Sequence, residues 1–139
     1  MAELYLIPAV TMGLLIGLVE LFFVHADEKG LGWLSHGLHA LPTAIIFTFI
    51  AMNLAFAANL VGFALKESVA LNIGLRVLIG IIAAFKVKAA AAIVTGKNAV
   101  GEKLSHALIV GALIAASPYI WVAIEPVLPG FLTQLTFTS

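Results

Sequence analysis

The side chains of this sequence that could do chemistry are ionisable groups placed inside long apolar stretches. Glu20, Arg76, Lys86 and Lys88 each lie within such a stretch. A charged side chain at the centre of a membrane helix costs roughly 2.5–3.5 kcal/mol on insertion scales, so these groups need partners, water or lipid headgroups. Ionisable groups inside a bilayer also form proton relays and ion pathways. These residues are therefore the first candidates for function.

Glu20 is expected at a depth close to that of Lys86 and Lys88, because the first and third apolar stretches should run parallel. An ion pair between Glu20 and one of the lysines is then geometrically feasible. Two interpretations stay open. Either the lysines extend to headgroups and Glu20 is their counter-charge, or the three side chains line a path for ions or protons.

Arg76 should enter the membrane from the opposite side, and Asn59 on the antiparallel second stretch should reach the same depth. A hydrogen bond between them, or a salt bridge from Arg76 to Glu67 or Glu125, would be structural. Alternatively, Arg76 binds an anionic lipid or solute. Asn53 is the other strongly polar residue of the second stretch and completes the intramembrane candidates.

The histidines are weak candidates for a metal or haem site. His25, His36 and His39 lie near Asp27 and Glu28, and the pair at positions 36 and 39 could share one helical face. A metal site needs three or four convergent ligands, and glycines interrupt this segment. We therefore predict no metal and no other cofactor, and keep a histidine-ligated haem or metal protein as an alternative. The chain has no phosphate-binding glycine loop, no serine–histidine–acid pattern and no zinc-protease helix, so we do not predict an enzyme.

The composition requires a lipid environment for these residues. Of 139 residues, 63% are hydrophobic and 10% are charged, against roughly 45–50% and 25% in soluble domains. The formal net charge is zero, so no global field attracts nucleic acid. Cysteine is absent, which excludes disulfides and thiol chemistry.

Four apolar stretches are long enough to cross about 30 Å of hydrocarbon. We predict an all-α membrane protein with four transmembrane helices in an antiparallel up-down bundle, forming one transmembrane domain over residues 1–139. Pro42 suits the first turn of the second span, and Pro118 should kink the fourth. The tail over residues 131–139 is expected to be irregular or interfacial. The predicted spans cover residues 4–24, 42–65, 68–95 and 104–124.

A short repeat suggests that the bundle consists of two tandem helical hairpins. Leu34-Ser35-His36 recurs as Leu104-Ser105-His106, each time before an apolar stretch. Helices in lipid also need small residues where they approach closely, and such residues recur at about four-residue spacing in the spans. These positions could pack one bundle together or form a homo-oligomer. They are Gly13 and Gly17, then Ala51, Ala55, Ala58 and Gly62, and finally Ala107, Gly111 and Ala115.

Charge asymmetry predicts the orientation. The loops at residues 25–41 and 96–103 carry Lys29, Lys97 and Lys103, and the positive-inside rule places them in the cytoplasm, with both termini outside.

The leading functional hypothesis is a structural or assembly subunit that acts by helix packing and self-association in membrane lipid. One version is a coat or shell subunit of a lipid-containing particle, in which Lys86, Lys88 and Lys97 meet anionic headgroups or nucleic acid. The alternative is an oligomeric channel or small transporter that uses Glu20, Arg76 and Lys86. Short loops favour the structural hypothesis, because they leave no room for an extramembrane domain.

Overall fold

The protein is a bundle of long helices closed at one end by a short β-pair. The computed structural model describes residues 4–27, 33–65, 68–95, 103–130 and 136–137. The predicted all-α class is confirmed. Its elements are β1 (Leu4–Tyr5), α1 (Leu6–Asp27), α2 (Trp33–Met52), α3 (Leu54–Leu60), α4 (Val69–Thr95), α5 (Leu104–Ile124), a 3-10 turn (Glu125–Val127) and β2 (Thr136–Phe137).

The four long helices are arranged as two hairpins. The most extensive packing joins α1 to α2 and α4 to α5, while α2 also packs on α4 and α1 on α5. Helices α2 and α5 meet across the short diagonal of the bundle, whereas α1 and α4 are not principal neighbours. This is the arrangement expected of two tandem hairpins, although duplication of the sequence itself stays a prediction.

The two ends of the bundle are distinct. Leu4 pairs with Phe137 and Tyr5 with Thr136 in an antiparallel β-pair, so β1 and β2 lie together at what we call the terminal end of the bundle. Asp27 contacts Lys103 at the opposite, loop end. The predicted interfacial tail thus contains a strand whose partner is the segment just before α1. Which end faces the cytoplasm stays a prediction.

Glycines allow the backbones within each hairpin to approach closely. A Cβ atom on Gly13 would lie 2.6 Å from Ile45 Cα, and one on Gly17 would lie 3.2 Å from Leu41 Cα. In the other hairpin, a Cβ on either Gly80 or Gly111 would collide with the carbonyl oxygen of its partner. These contacts support the interpretation that small residues pack a single bundle.

The second membrane segment differs from its prediction at both ends. Helix α2 includes residues from Trp33 onward, so Pro42 is inside it rather than in its first turn. The Thr43 hydroxyl donates to the His39 carbonyl at 2.7 Å, next to the Leu38 carbonyl that Pro42 leaves without its helical donor. At its other end α2 stops at Met52, and α3 turns away from it by 93°.

Asn53 makes the break between α2 and α3. Its backbone leaves the helical region, with φ −111° and ψ 43°. Its side-chain oxygen accepts from Tyr5 N at 2.6 Å, and its amide nitrogen donates to Tyr5 O at 3.3 Å and to Phe49 O at 3.1 Å. Asparagine often replaces helical hydrogen bonds with such side-chain bonds, and here it ties the end of α2 to β1.

The helices match the dimensions of a bilayer. Within the described residues, three helices are long and apolar enough to cross a membrane, or four if α2 and the bent α3 form one span. This is consistent with an integral membrane protein.

Pro118 lies inside α5, which is continuous from Leu104 to Ile124. Proline has no N–H for the carbonyl four residues earlier, which belongs to Ile114. The buried Ser117 hydroxyl donates to that carbonyl at 2.8 Å and replaces the missing bond.

Ser117→Ala should therefore lower the free energy of unfolding by about 1 kcal/mol, because it leaves the Ile114 carbonyl unsatisfied in the core. Denaturant titration in detergent micelles measures this loss. Ser105→Ala, at an exposed position of the same helix, is the control and should change stability little. Equal stability of the two variants would show that the Ser117 hydroxyl does not compensate for the proline.

Candidate functional site

Arg76 is the central polar residue of the terminal end. Its Nε donates to the Ala51 carbonyl at 3.0 Å. Ala51 lies in the last turn of α2, where backbone carbonyls have no partner within the helix. Arg76 therefore stabilises the end of α2 from the neighbouring helix α4.

The rest of the Arg76 guanidinium faces Tyr119 of α5. Its Nη1 lies 3.5 Å from the Tyr119 hydroxyl, and its Cζ lies 5.7 Å from the ring centroid, within cation–π range. Among the described residues no carboxylate forms an ion pair with Arg76. The predicted salt bridge to Glu125 is therefore not formed, and Glu67 lies outside the described residues.

Among the described residues, Arg76 lines two cavities. One, of about 450 Å³, is a groove between α4 and α5 whose floor includes Gly80 and Gly111. The other, of about 360 Å³, lies toward the chain ends and is lined in part by Tyr5 and Glu125. Arg76 thus separates an apolar groove from a more polar pocket.

The two predicted asparagines have different positions. Asn53 is buried at the helix break, bonded to Tyr5 as described above. Asn59 is exposed on α3, which turns away from α2. Within the described part of the chain no hydrogen bond joins Asn59 to Arg76, so the expected contact between them is not formed.

An ionic cluster joins α1 to α5 at the loop end. The Asp27 carboxylate lies 3.0 Å from the Lys103 ammonium and 2.7 Å from His106 Nδ1, and it accepts from the Lys103 backbone N–H at 3.0 Å. The Asp27 side chain is only 2% exposed. A carboxylate is favourable at this position because the N-terminus of a helix carries partial positive charge. His106 also stacks on Phe23 of α1, with ring centroids 4.4 Å apart.

Glu20 is fully buried on the side of α1 that continues to Asp27. The two carboxylates are about two turns, or about 10 Å, apart along the helix. Gly17, one turn before Glu20, faces Leu41 of α2. Glu20 therefore lies in the interior of the bundle, in the half nearer the loop end.

The two lysines of α4 differ in their relation to Glu20. Among the described residues Lys86 forms no ion pair with Glu20, whereas the pair between Glu20 and Lys88 stays a prediction. Because Gly80 faces Gly111 in the antiparallel α4–α5 pair, the backbone of Lys88 is level with the start of α5 and so with Asp27, about 10 Å from the backbone of Glu20 along the bundle. Lys86 is exposed, and Lys97 lies outside the described residues.

The histidines of the loop end have separate surroundings. The His25 ring stacks on Trp33, with centroids 3.8 Å apart, and His39 is half-buried on α2. The side chain of His36 lies outside the described residues. Within the described ranges no three histidine or acidic side chains converge on a metal-binding position.

Sequence reasoning missed the contact between Asp27 and His106. The predicted topology placed the end of the first span and the start of the fourth on the same side of the membrane. The repeated Leu-Ser-His motif also placed His106 in the first turn of the fourth span. Those two observations together predict that Asp27 and His106 lie on the same side of the membrane, but Asp27 is also close in sequence to His25, His36 and His39, and residue types alone do not select its partner.

Comparisons with protein-family models, curated proteins and solved structures give no match for this chain. Its function must therefore be argued from the arrangement of its own side chains.

Proposed function

We propose that this protein is a structural or assembly subunit of a membrane, acting through helix packing and self-association. One observation carries the proposal: three polar side chains of the helices bond locally and join secondary-structure elements. Asp27 joins α1 to α5, Asn53 joins the end of α2 to β1, and Arg76 joins α4 to α2.

Local bonding distinguishes this proposal from transport. A channel or transporter needs polar groups along one continuous, water-accessible path. Here Asn53 and Arg76 are at the terminal end, Asp27 is at the loop end, and Lys86 is exposed on α4. Asn53, Arg76 and Asp27 each bond a neighbouring element of the bundle. The ammonium of Lys86 is available to lipid headgroups or water.

Self-association is proposed through the outer face of α4, which we define as Leu78, Ile82 and Phe85. All three residues are exposed. Only 17% of the apolar window of α4 is buried, compared with 44% for α1. In a membrane, lipid covers an exposed apolar face about as well as protein does. The presence of a second copy of the chain on this face is therefore tested by crosslinking.

Single-cysteine crosslinking tests the interface without background, because the chain has no cysteine. We expect Leu78→Cys to form a disulfide-linked dimer in membranes, since two copies would bring this face together. Leu15→Cys, on an exposed position of α1, is the matched control and should remain monomeric. Native mass in mild detergent should show an oligomer. A monomeric mass with equal crosslinking at both positions would refute assembly through α4.

A second candidate, proton or ion conduction, is supported by a different observation. Glu20 is fully buried, and buried ionisable groups in membrane helices often belong to conduction paths. Asp27, on the same helix and nearer the loop end, would be the next carboxylate of such a path. The stability and the ion permeability of a Glu20→Gln variant separate this function from assembly.

A further inference from the structure

The groove between α4 and α5 has the size and shape of a binding site. Its volume of about 450 Å³ lies within the range of roughly 300–1,000 Å³ typical of ligand sites. It exists because Gly80 and Gly111 bring the two backbones together without filling the space beside them. Small and aliphatic side chains form most of its lining, and Arg76 and Tyr119 lie toward one end.

Arg76 places a positive charge where this groove meets the more polar pocket toward Tyr5 and Glu125. The guanidinium uses Nε for the Ala51 carbonyl and directs Nη1 toward Tyr119 at 3.5 Å. Among the described residues no carboxylate neutralises it. An arginine fork with remaining donors matches the geometry of a phosphate group. The groove is therefore complementary to a molecule with an anionic head and an apolar tail.

The depth of Arg76 matches that of lipid headgroups. It contacts the last turn of α2, and from this level α3 turns by 93° and so runs roughly along the membrane plane. Leu60 and Val61, at the end of α3, are 77% and 78% exposed, as in a helix embedded in the interface. Tyr119 lies at the same level, where tyrosine is enriched.

The groove extends from this level toward the bilayer centre. From Arg76 to Ala84 it follows about 12 Å of helix, which is most of the depth of one leaflet, roughly 15 Å. We propose that the groove binds an anionic phospholipid, with its phosphate on Arg76 and one acyl chain along Gly80 and Gly111.

Native mass spectrometry in mild detergent tests this site with phosphatidylglycerol and phosphatidylcholine as probes. We expect the wild-type protein to retain phosphatidylglycerol about tenfold more than phosphatidylcholine, because the choline cation of phosphatidylcholine offsets the attraction of its phosphate to Arg76. Arg76→Gln should abolish this preference. Ala112→Phe should reduce retention of phosphatidylglycerol about tenfold or more, because Ala112 is an exposed residue of the groove lining and a ring there occupies the space of the acyl chain.

Two matched controls locate the effect. Ala123→Phe adds the same ring at an exposed position of α5 outside the groove, and Lys86→Gln removes a charge nearer the loop end of α4. Both should retain phosphatidylglycerol as the wild type does. Because Arg76→Gln also removes the bond to Ala51, Ala112→Phe keeps the test valid if the former does not fold.

The proposal is overturned if the wild type retains both lipids equally, or if Ala112→Phe retains as much phosphatidylglycerol as Ala123→Phe. It is also overturned if Ala112→Phe converts a lipid-independent dimer to a monomer, because the groove would then be filled by a second copy of the chain.

Discussion

Alanine at Gly80 is expected to destabilise the bundle, whereas alanine at Gly74 on the same helix is expected to stabilise it. A Cβ on Gly80 would collide with the Gly111 carbonyl oxygen and lie 3.0 Å from Ala115 Cβ, while a Cβ on Gly74 would meet nothing within 4 Å. A backbone oxygen inside a helix cannot rotate away as a flexible side chain can. The α4 and α5 backbones would therefore have to separate.

The two substitutions should differ in sign as well as size. Overpacking of this kind typically costs about 1–3 kcal/mol, whereas replacing glycine by alanine in an unobstructed helix gains up to about 1 kcal/mol. Denaturant titration in the same detergent measures both free energies of unfolding. Gly111→Ala should behave like Gly80→Ala, because each glycine faces the backbone oxygen of the other. If Gly80→Ala were as stable as Gly74→Ala, the close α4–α5 packing would be wrong.

The spans bounded by charged residues could be predicted closely from the sequence. The third prediction, residues 68–95, corresponds to Val69–Thr95, and the fourth, residues 104–124, corresponds to Leu104–Ile124. Lys66 and Glu67 precede the third span, and Lys103 precedes the fourth. Hydropathy falls sharply at such residues, because charges are costly in hydrocarbon. A local signal was therefore enough to mark these ends.

The end of α2 at Met52 could not be predicted from hydropathy, because the hydrogen bonds that break the helix there join residues distant in sequence. The sequence around Asn53 is apolar on both sides, so hydropathy alone predicts one continuous helix. The helix ends there because the Asn53 side chain bonds both the N–H and the carbonyl of Tyr5. Tyr5 is distant in sequence, and no local pattern identifies it as the partner.

The candidate site was predictable in its residues but not in their contacts. The cost of inserting a charge into a membrane identifies Glu20 and Arg76 as candidates. The structure places Glu20 in the core and Arg76 beside the last turn of α2. The bonded partner of Arg76 is the carbonyl of Ala51, which needs a partner because α2 ends nearby. A backbone group of this kind cannot be recognised from residue types.

Glu20→Gln is expected to destabilise the protein without changing ion or proton permeability. The side chain is fully buried, and removing one member of a buried charged interaction typically costs about 3–5 kcal/mol. Denaturant titration should show this loss, whereas Glu125→Gln, at an exposed carboxylate of the terminal end, should change stability little. Reconstituted vesicles measure permeability under an imposed gradient. We expect the wild type and both variants to conduct no more than protein-free vesicles.

A different result would change the assigned function. If wild-type vesicles conducted and Glu20→Gln remained stable but lost that flux, Glu20 would line a path and the protein would be a channel.

A second substitution, at Lys88, tests whether Glu20 pairs with this lysine as the sequence predicts. Removing both members of a buried pair should recover stability, whereas independent residues give additive costs within about 0.3–0.5 kcal/mol. We expect Glu20→Gln with Lys88→Met to recover much of the stability that Glu20→Gln alone loses, because the sequence predicts that these two side chains pair. Additive costs would instead show that the partner of Glu20 is another residue of the bundle.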